Sequence, residues 1–198
     1  MTPSRRYSAG AVVLHWIIAA LILANLGVGW RMVFLKGLGQ FDLFQLHKSI
    51  GITVLLLSFA RLGWRLVIPP PALPEGMRPL DRLLARAVHW AFYGIMIGMP
   101  LTGWIIVSVS PLNIPTLLWH AVPWPHLPWL HELPMTDRKA VGTVTGSVHM
   151  YLAVSLIALI VLHVGAALKH QWIDRDGLLG RMVPGLGARR LRDNSLAP

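Results

Sequence analysis

The chain contains no cysteine and only eight acidic residues. Without a thiol there can be no disulfide, no thiolate-held metal, no iron–sulfur cluster on cysteine and no C-x-x-C-H attachment of a c-type haem. Charge of either sign is scarce. Asp, Glu, Lys and Arg make up 13% of the chain, against about a quarter in an ordinary soluble domain. With 55% hydrophobic residues, the surroundings of most of this chain must be lipid or other helices. Period-two alternation is also missing, which argues against a transmembrane barrel. A length of 198 residues suits one domain. The net charge of +10 could serve nucleic acid, but in so apolar a chain it belongs to the loops of a membrane protein, and no nucleic-acid partner is expected.

What is present is a set of four long apolar runs, at about residues 10–30, 46–68, 87–109 and 141–168. Each is near the ~20 residues that a spanning helix needs. The first has no small-residue cleavage site and is taken as a span, not a signal peptide. Pro69, Pro70 and Pro71 close the second, and Pro100 is expected to kink the third. The fold class expected is all-α, an integral membrane four-helix bundle over residues 1–184, with 185–198 as a basic flexible tail.

Loop charges give a direction. Arg5, Arg6, Arg61, Arg65, Arg78, Arg82, Arg86, Lys169, Arg175, Arg181, Arg189, Arg190 and Arg192 fall on the side of the termini. Arg31, Lys36, Lys48, Arg138 and Lys139 fall on the other. The positive-inside rule therefore puts both termini of this multi-pass chain in the cytoplasm. The outer side has a short connection near 31–45 and a long one near 110–140. The long one carries Trp119, Trp124 and Trp129 among six prolines, which argue against a regular helix there and suit a headgroup-level aromatic belt or lid.

Histidines supply the chemistry. His149 and His163 are fourteen residues apart on one apolar run. At ~100° per residue that is close to four whole turns, so both rings share a face, ~21 Å apart along the axis. His15 enters the membrane from the inner side and His47 from the outer. Depth pairs His15 with His163, and His47 with His149. No carboxylate lies in the four runs. Zinc would want three or four ligands, whereas two imidazoles on opposite faces of one iron are haem ligands. Ala19, Gly51, Gly146 and Ala167, each one turn from a histidine, would give a flat macrocycle room; small residues also let membrane helices approach. His89 and His170 read as interfacial, and His120, His126 and His131 as solvated.

These residues carry a resemblance. Tyr7, Ser8 and Leu14-His15-Trp16 open it, followed by His47-Lys48-Ser49-Ile50-Gly51, then Arg61 and Arg65. His89-Trp90, Tyr93 and Pro100-Leu101-Thr102-Gly103-Trp104 continue it. It ends with His149, His163-Val164, Ala167-Leu168-Lys169-His170 and Asp174-Arg175-Asp176-Gly177. In this order the chain resembles the bacterial cytochrome b-561 family of four-helix di-haem membrane cytochromes, as far as Pro184. The resemblance implies two haem b on His15, His47, His149 and His163, with ubiquinone as partner and electron transfer as the task. Some members resemble superoxide oxidases.

The first expectation is thus an oxidoreductase that moves electrons from superoxide or another small donor to ubiquinone. Six-coordinate haems would confine the chemistry to outer-sphere transfer. Lys48, Arg138 and Lys139 could draw an anion to the outer side. Trp119, Trp124 and Trp129 could stack a quinone, with Arg138, Lys139 or an indole N–H as donor. Arg61 and Arg65 could hold haem propionates. The alternative is a non-catalytic cytochrome b subunit of a larger hydrogenase or dehydrogenase. A small transporter with histidine relays is a third class, and it would show no Soret absorption.

Overall fold

The computed structural model describes residues 6–74 and 76–183, so the proposed tail from residue 185 lies outside the described residues. Four long helices follow one another: α1 (Ala9–Phe34), α2 (Leu38–Val67), α3 (Pro79–Val109) and, after a two-stranded hairpin and a short helix, α5 (Met135–Lys169). The hairpin pairs β1 (Thr116–Leu118) with β2 (Val122–Trp124), and the short helix is α4 (Pro128–His131). All four long helices are long and apolar enough to cross a membrane. The chain is an all-α membrane bundle.

The helices outrun the apolar stretches that mark them. α2 begins eight residues before Leu46, and α3 and α5 likewise start early. A helix satisfies its own backbone, so it continues into headgroups and water where hydropathy no longer signals it. Only Leu35–Gly37 separate α1 from α2, in place of the longer connection expected at 31–45. Gly37 takes φ 74° there, a left-handed value natural to glycine. The prolines of the outer loop also do less than expected. Pro128 stands at the first position of α4, where its missing N–H costs nothing.

The basal end of the bundle, where α1 and α3 begin, is tied by side chains. Ser8 caps α1 by accepting from Ala11 N and also accepts from Trp64 Nε1 at 2.9 Å. A Cβ on Gly10 would stand 2.5 Å from the Trp64 ring, so any larger residue there would have to displace the indole. Beyond α5 the chain makes a π-helical turn, His170–Asp174, and folds back. Trp16 Nε1 donates to Met182 O, and Arg181 Nη1 to Ala72 O. His170 is half-buried, with Nδ1 2.7 Å from Asp176.

The buried apolar layer, Ile18, Ile22, Ile50, Val54, Tyr93, Met96 and Leu156, sits at mid-bundle. Outward faces keep large apolar side chains exposed, among them Trp30, Val144 and Tyr151, as lipid-facing surfaces do.

Candidate haem sites

The four histidines selected for depth meet in two pairs. His15 and His163 have ring centroids 6.2 Å apart, at 67°. His47 and His149 are also 6.2 Å apart, at 69°. The mid-bundle layer lies between the pairs. A metal–imidazole bond of about 2 Å, plus ~1.1 Å from nitrogen to ring centre, puts two imidazoles on opposite sides of one metal roughly 6 Å apart by centroid. Both pairs therefore have the separation that one iron requires.

At the hairpin end, α3 orients His149. Pro100 cannot donate to Met96 O, which loosens that turn. Beside it the Met99 carbonyl accepts from Thr102 Oγ1 at 2.7 Å and from His149 Nδ1 at 3.1 Å, and Thr102 Oγ1 is 2.9 Å from the same nitrogen. A carbonyl can only accept, so Nδ1 carries the proton and Nε2 offers its lone pair. A carbonyl that accepts from the nitrogen facing away from the metal commonly fixes a metal-bound histidine in this way. The backbone of Asn25 on α1 offers a hydrogen bond to the buried His47 ring, and Oδ1 of the same Asn25 is buried without a partner. Glycines from other helices cradle both rings. A Cβ on Gly29 would stand 3.2 Å from His47 Cε1, and one on Gly103 3.4 Å from His149 Cε1. These fit a group held tightly by both imidazoles. Of the small residues picked from the sequence, Gly51 faces Asn25, while Gly146 borders open space, as room for a flat group requires.

At the basal end, His15 packs against Trp16, and Phe92 lies 5.4 Å from His163 by centroid. His89 is no simple interfacial residue, because its ring lies 5.8 Å from that of His163. Arg61 Nη1 donates to Ala11 O, and Arg65 lies over the Trp90 and Tyr93 rings at 5.9 and 6.0 Å. Neither guanidinium forms an ion pair with a carboxylate among the described residues. A cavity of about 480 Å³ opens beside them, walled by Tyr7, Ser8, Trp64 and Tyr93.

The outer loop folds onto α2. Gln45 Nε2 donates to Pro115 O, and Trp119 N donates to Ser49 Oγ at 2.9 Å. Trp119 Nε1 reaches Thr53 Oγ1 at 3.2 Å. Gln45, Ser49 and Thr53 are four residues apart and form one polar stripe. Trp119 and His120 both adopt left-handed φ, 53° and 57°, in the hairpin turn. Such a turn normally wants glycine or asparagine, so the dock on α2 must hold it. Trp124 packs on Trp104 with its own Nε1 buried and unpartnered, while Trp129 is exposed. Lys139 is exposed and Lys48 donates to Pro115 O. Arg138 is not a surface cation. It is buried and donates to Val109 O and Ser110 O, capping the last carbonyls of α3. Its sequence neighbours gave no sign of that use.

Four membrane helices enclosing paired imidazoles define a membrane cytochrome b. The chain belongs to the prokaryotic cytochrome b561 family, which it matches over residues 6–185. It is 32% identical over 187 residues to cytochrome b561 homolog 2 of Escherichia coli K12, covering 92% of this chain and 93% of that one. It is 26% identical over 184 residues to the probable superoxide oxidase CybB of Yersinia pestis, covering 91% and 97%. Cytochrome b562 of Cereibacter sphaeroides is 26% identical over 193 residues, covering 92% and 98%. Electron transfer in a bacterial membrane, on b-type haem, is what this family membership carries.

Proposed function

We propose that the chain holds two b-type haems, one between His15 and His163 and one between His47 and His149, and passes electrons from superoxide to ubiquinone in the inner membrane. The observation that carries the two-haem reading is the equal 6.2 Å separation of both ring pairs. Haem supplies a one-electron couple; the chain supplies burial, distance and orientation. Superoxide gives up one electron and leaves as dioxygen. Ubiquinone takes two electrons and two protons, so two donors serve each quinol. The Yersinia relative's name supports superoxide as the donor.

The outer tryptophans suit a quinone less well than the sequence suggested. The Trp119 indole N–H is engaged by Thr53, and Arg138 is spent on α3. The basal cavity offers aromatic walls and two guanidiniums without an ion pair to a carboxylate among the described residues, a better match for a flat ring with carbonyl acceptors. The positive-inside count puts this cavity on the cytoplasmic side.

The test begins with a pyridine haemochrome assay, expected to report about two haems per chain, both extractable into acidic acetone. His47→Ala and His149→Ala should then remove the same one of two redox midpoints. Turnover with superoxide and a short-chain ubiquinone should fall at least tenfold in Arg65→Gln with haem content retained, and stay near wild type in Trp119→Leu. One haem per chain, or wild-type turnover in Arg65→Gln, overturns the respective half of the reading.

A further inference from the structure

His163 faces two imidazoles, not one. Its centroid is 6.2 Å from that of His15 and 5.8 Å from that of His89, with interplanar angles of 67° and 88°. The second distance differs by a few tenths of an ångström from the spacing that both depth-matched pairs share. His89 is also prepared as a ligand would be. Its Nδ1 is hydrogen-bonded to Ala85 O one turn back, which can only accept. The proton therefore sits on Nδ1 and the lone pair on Nε2, the same arrangement that Met99 imposes on His149. At the hairpin end, His47 and His149 have only each other among the ring contacts of the described residues.

The geometry points to His89 as a second ligand for the basal iron, able to stand opposite His163 in place of His15. A bound iron would accept a single imidazole there, so exchanging His15 for His89 would break one iron–nitrogen bond and form another, with no electron moved. α3 and α5 pack directly on each other, so a His89–His163 pair leaves α1 where it is. The inference rests on the two-haem reading above. It makes the two sites unequal: loss of His15 is tolerated at the basal site, and loss of His47 is not at the other.

The experiment uses the full chain, purified in detergent with its haem and compared by visible and low-temperature EPR spectra. His15→Ala is expected to keep both haems low-spin, with the basal signal shifted in g value. His15→Ala/His89→Leu is expected to lose low-spin character at that haem alone. His47→Ala, which has no spare imidazole, is expected to lose it at the other. His15→Gly prepared with and without free imidazole should give the same low-spin spectrum, since His89 already fills the position. A high-spin or missing basal haem in His15→Ala, or a low-spin signal that returns in His15→Gly only with imidazole, overturns the proposal. A wild-type protein without two low-spin haems would instead overturn the reading beneath it, and that is seen before any variant is made.

Discussion

Gly29 of α1 lies edge-on to His47 of α2, with only 3.2 Å between a would-be Cβ and the ring's Cε1. That distance is tighter than ordinary contact, so the imidazole position depends on a residue eighteen places away on another helix. Gly29→Ala should shift the midpoint of the haem proposed at the hairpin end without losing it. Gly29→Leu should lose it while the basal haem survives. Gly27→Leu, where nothing lies within 4 Å, is the control, and redox titration with haem quantification reads all three.

Thr102 acts on His149 through a shared carbonyl. Its hydroxyl donates to Met99 O and lies 2.9 Å from His149 Nδ1. Accepting groups at Nδ1 make an imidazole more basic toward a bound metal. Thr102→Val removes one such group, so the midpoint of that haem should rise, at a stability cost of about 1 kcal/mol. Potentiometry and thermal unfolding check the two parts separately.

Ser49 is the peg that holds the hairpin turn. Ser49→Ala leaves Trp119 N without its acceptor, a loss of about 0.5–1.5 kcal/mol for a half-buried bond. The left-handed pair Trp119 and His120 then loses its restraint. Amide exchange across residues 116–124 should speed up, with both haem spectra unchanged. Unaltered exchange there would show that the turn holds itself.

His126 gives the loop a pH response. Burial, then the positive charge of Lys48 and the neighbouring His131, holds it below its ordinary 6.5. The unfolded loop therefore binds the proton more readily than the folded one. Stability is fully present above 6.5 and declines as pH falls from there toward the lowered folded value. Tryptophan fluorescence of the loop should report loosening in that window, and His126→Gln should flatten the profile.

The four spans and the all-α class were legible because lipid imposes a crude and strong rule on composition. The meeting of His15 with His163 and of His47 with His149 was legible because depth in a membrane is nearly a one-dimensional coordinate. What was not legible lies across the bundle. Sequence spacing points to small residues on each histidine's own helix, whereas Gly29 and Gly103 come from neighbours. His89 reads as interfacial from its place at a helix start, and only helix rotation, which spacing does not give, brings its ring beside His163. The stripe of Gln45, Ser49 and Thr53 is quiet in an apolar run, and only the docked hairpin gives it meaning. Arg138 counted as loop charge until its reach to the end of α3 was visible.

α2 carries a histidine of one pair, the pegs for the hairpin, and, about four to five turns beyond that histidine, Arg61, Trp64 and Arg65 at the basal cavity. One added residue anywhere between His47 and Arg61 would swing every later side chain by ~100° about the axis and move it ~1.5 Å along. Both ends of the molecule would lose their alignment together. Across the descendants of this sequence, length should be free to drift in the loop around Glu132 and fixed to the residue within α2.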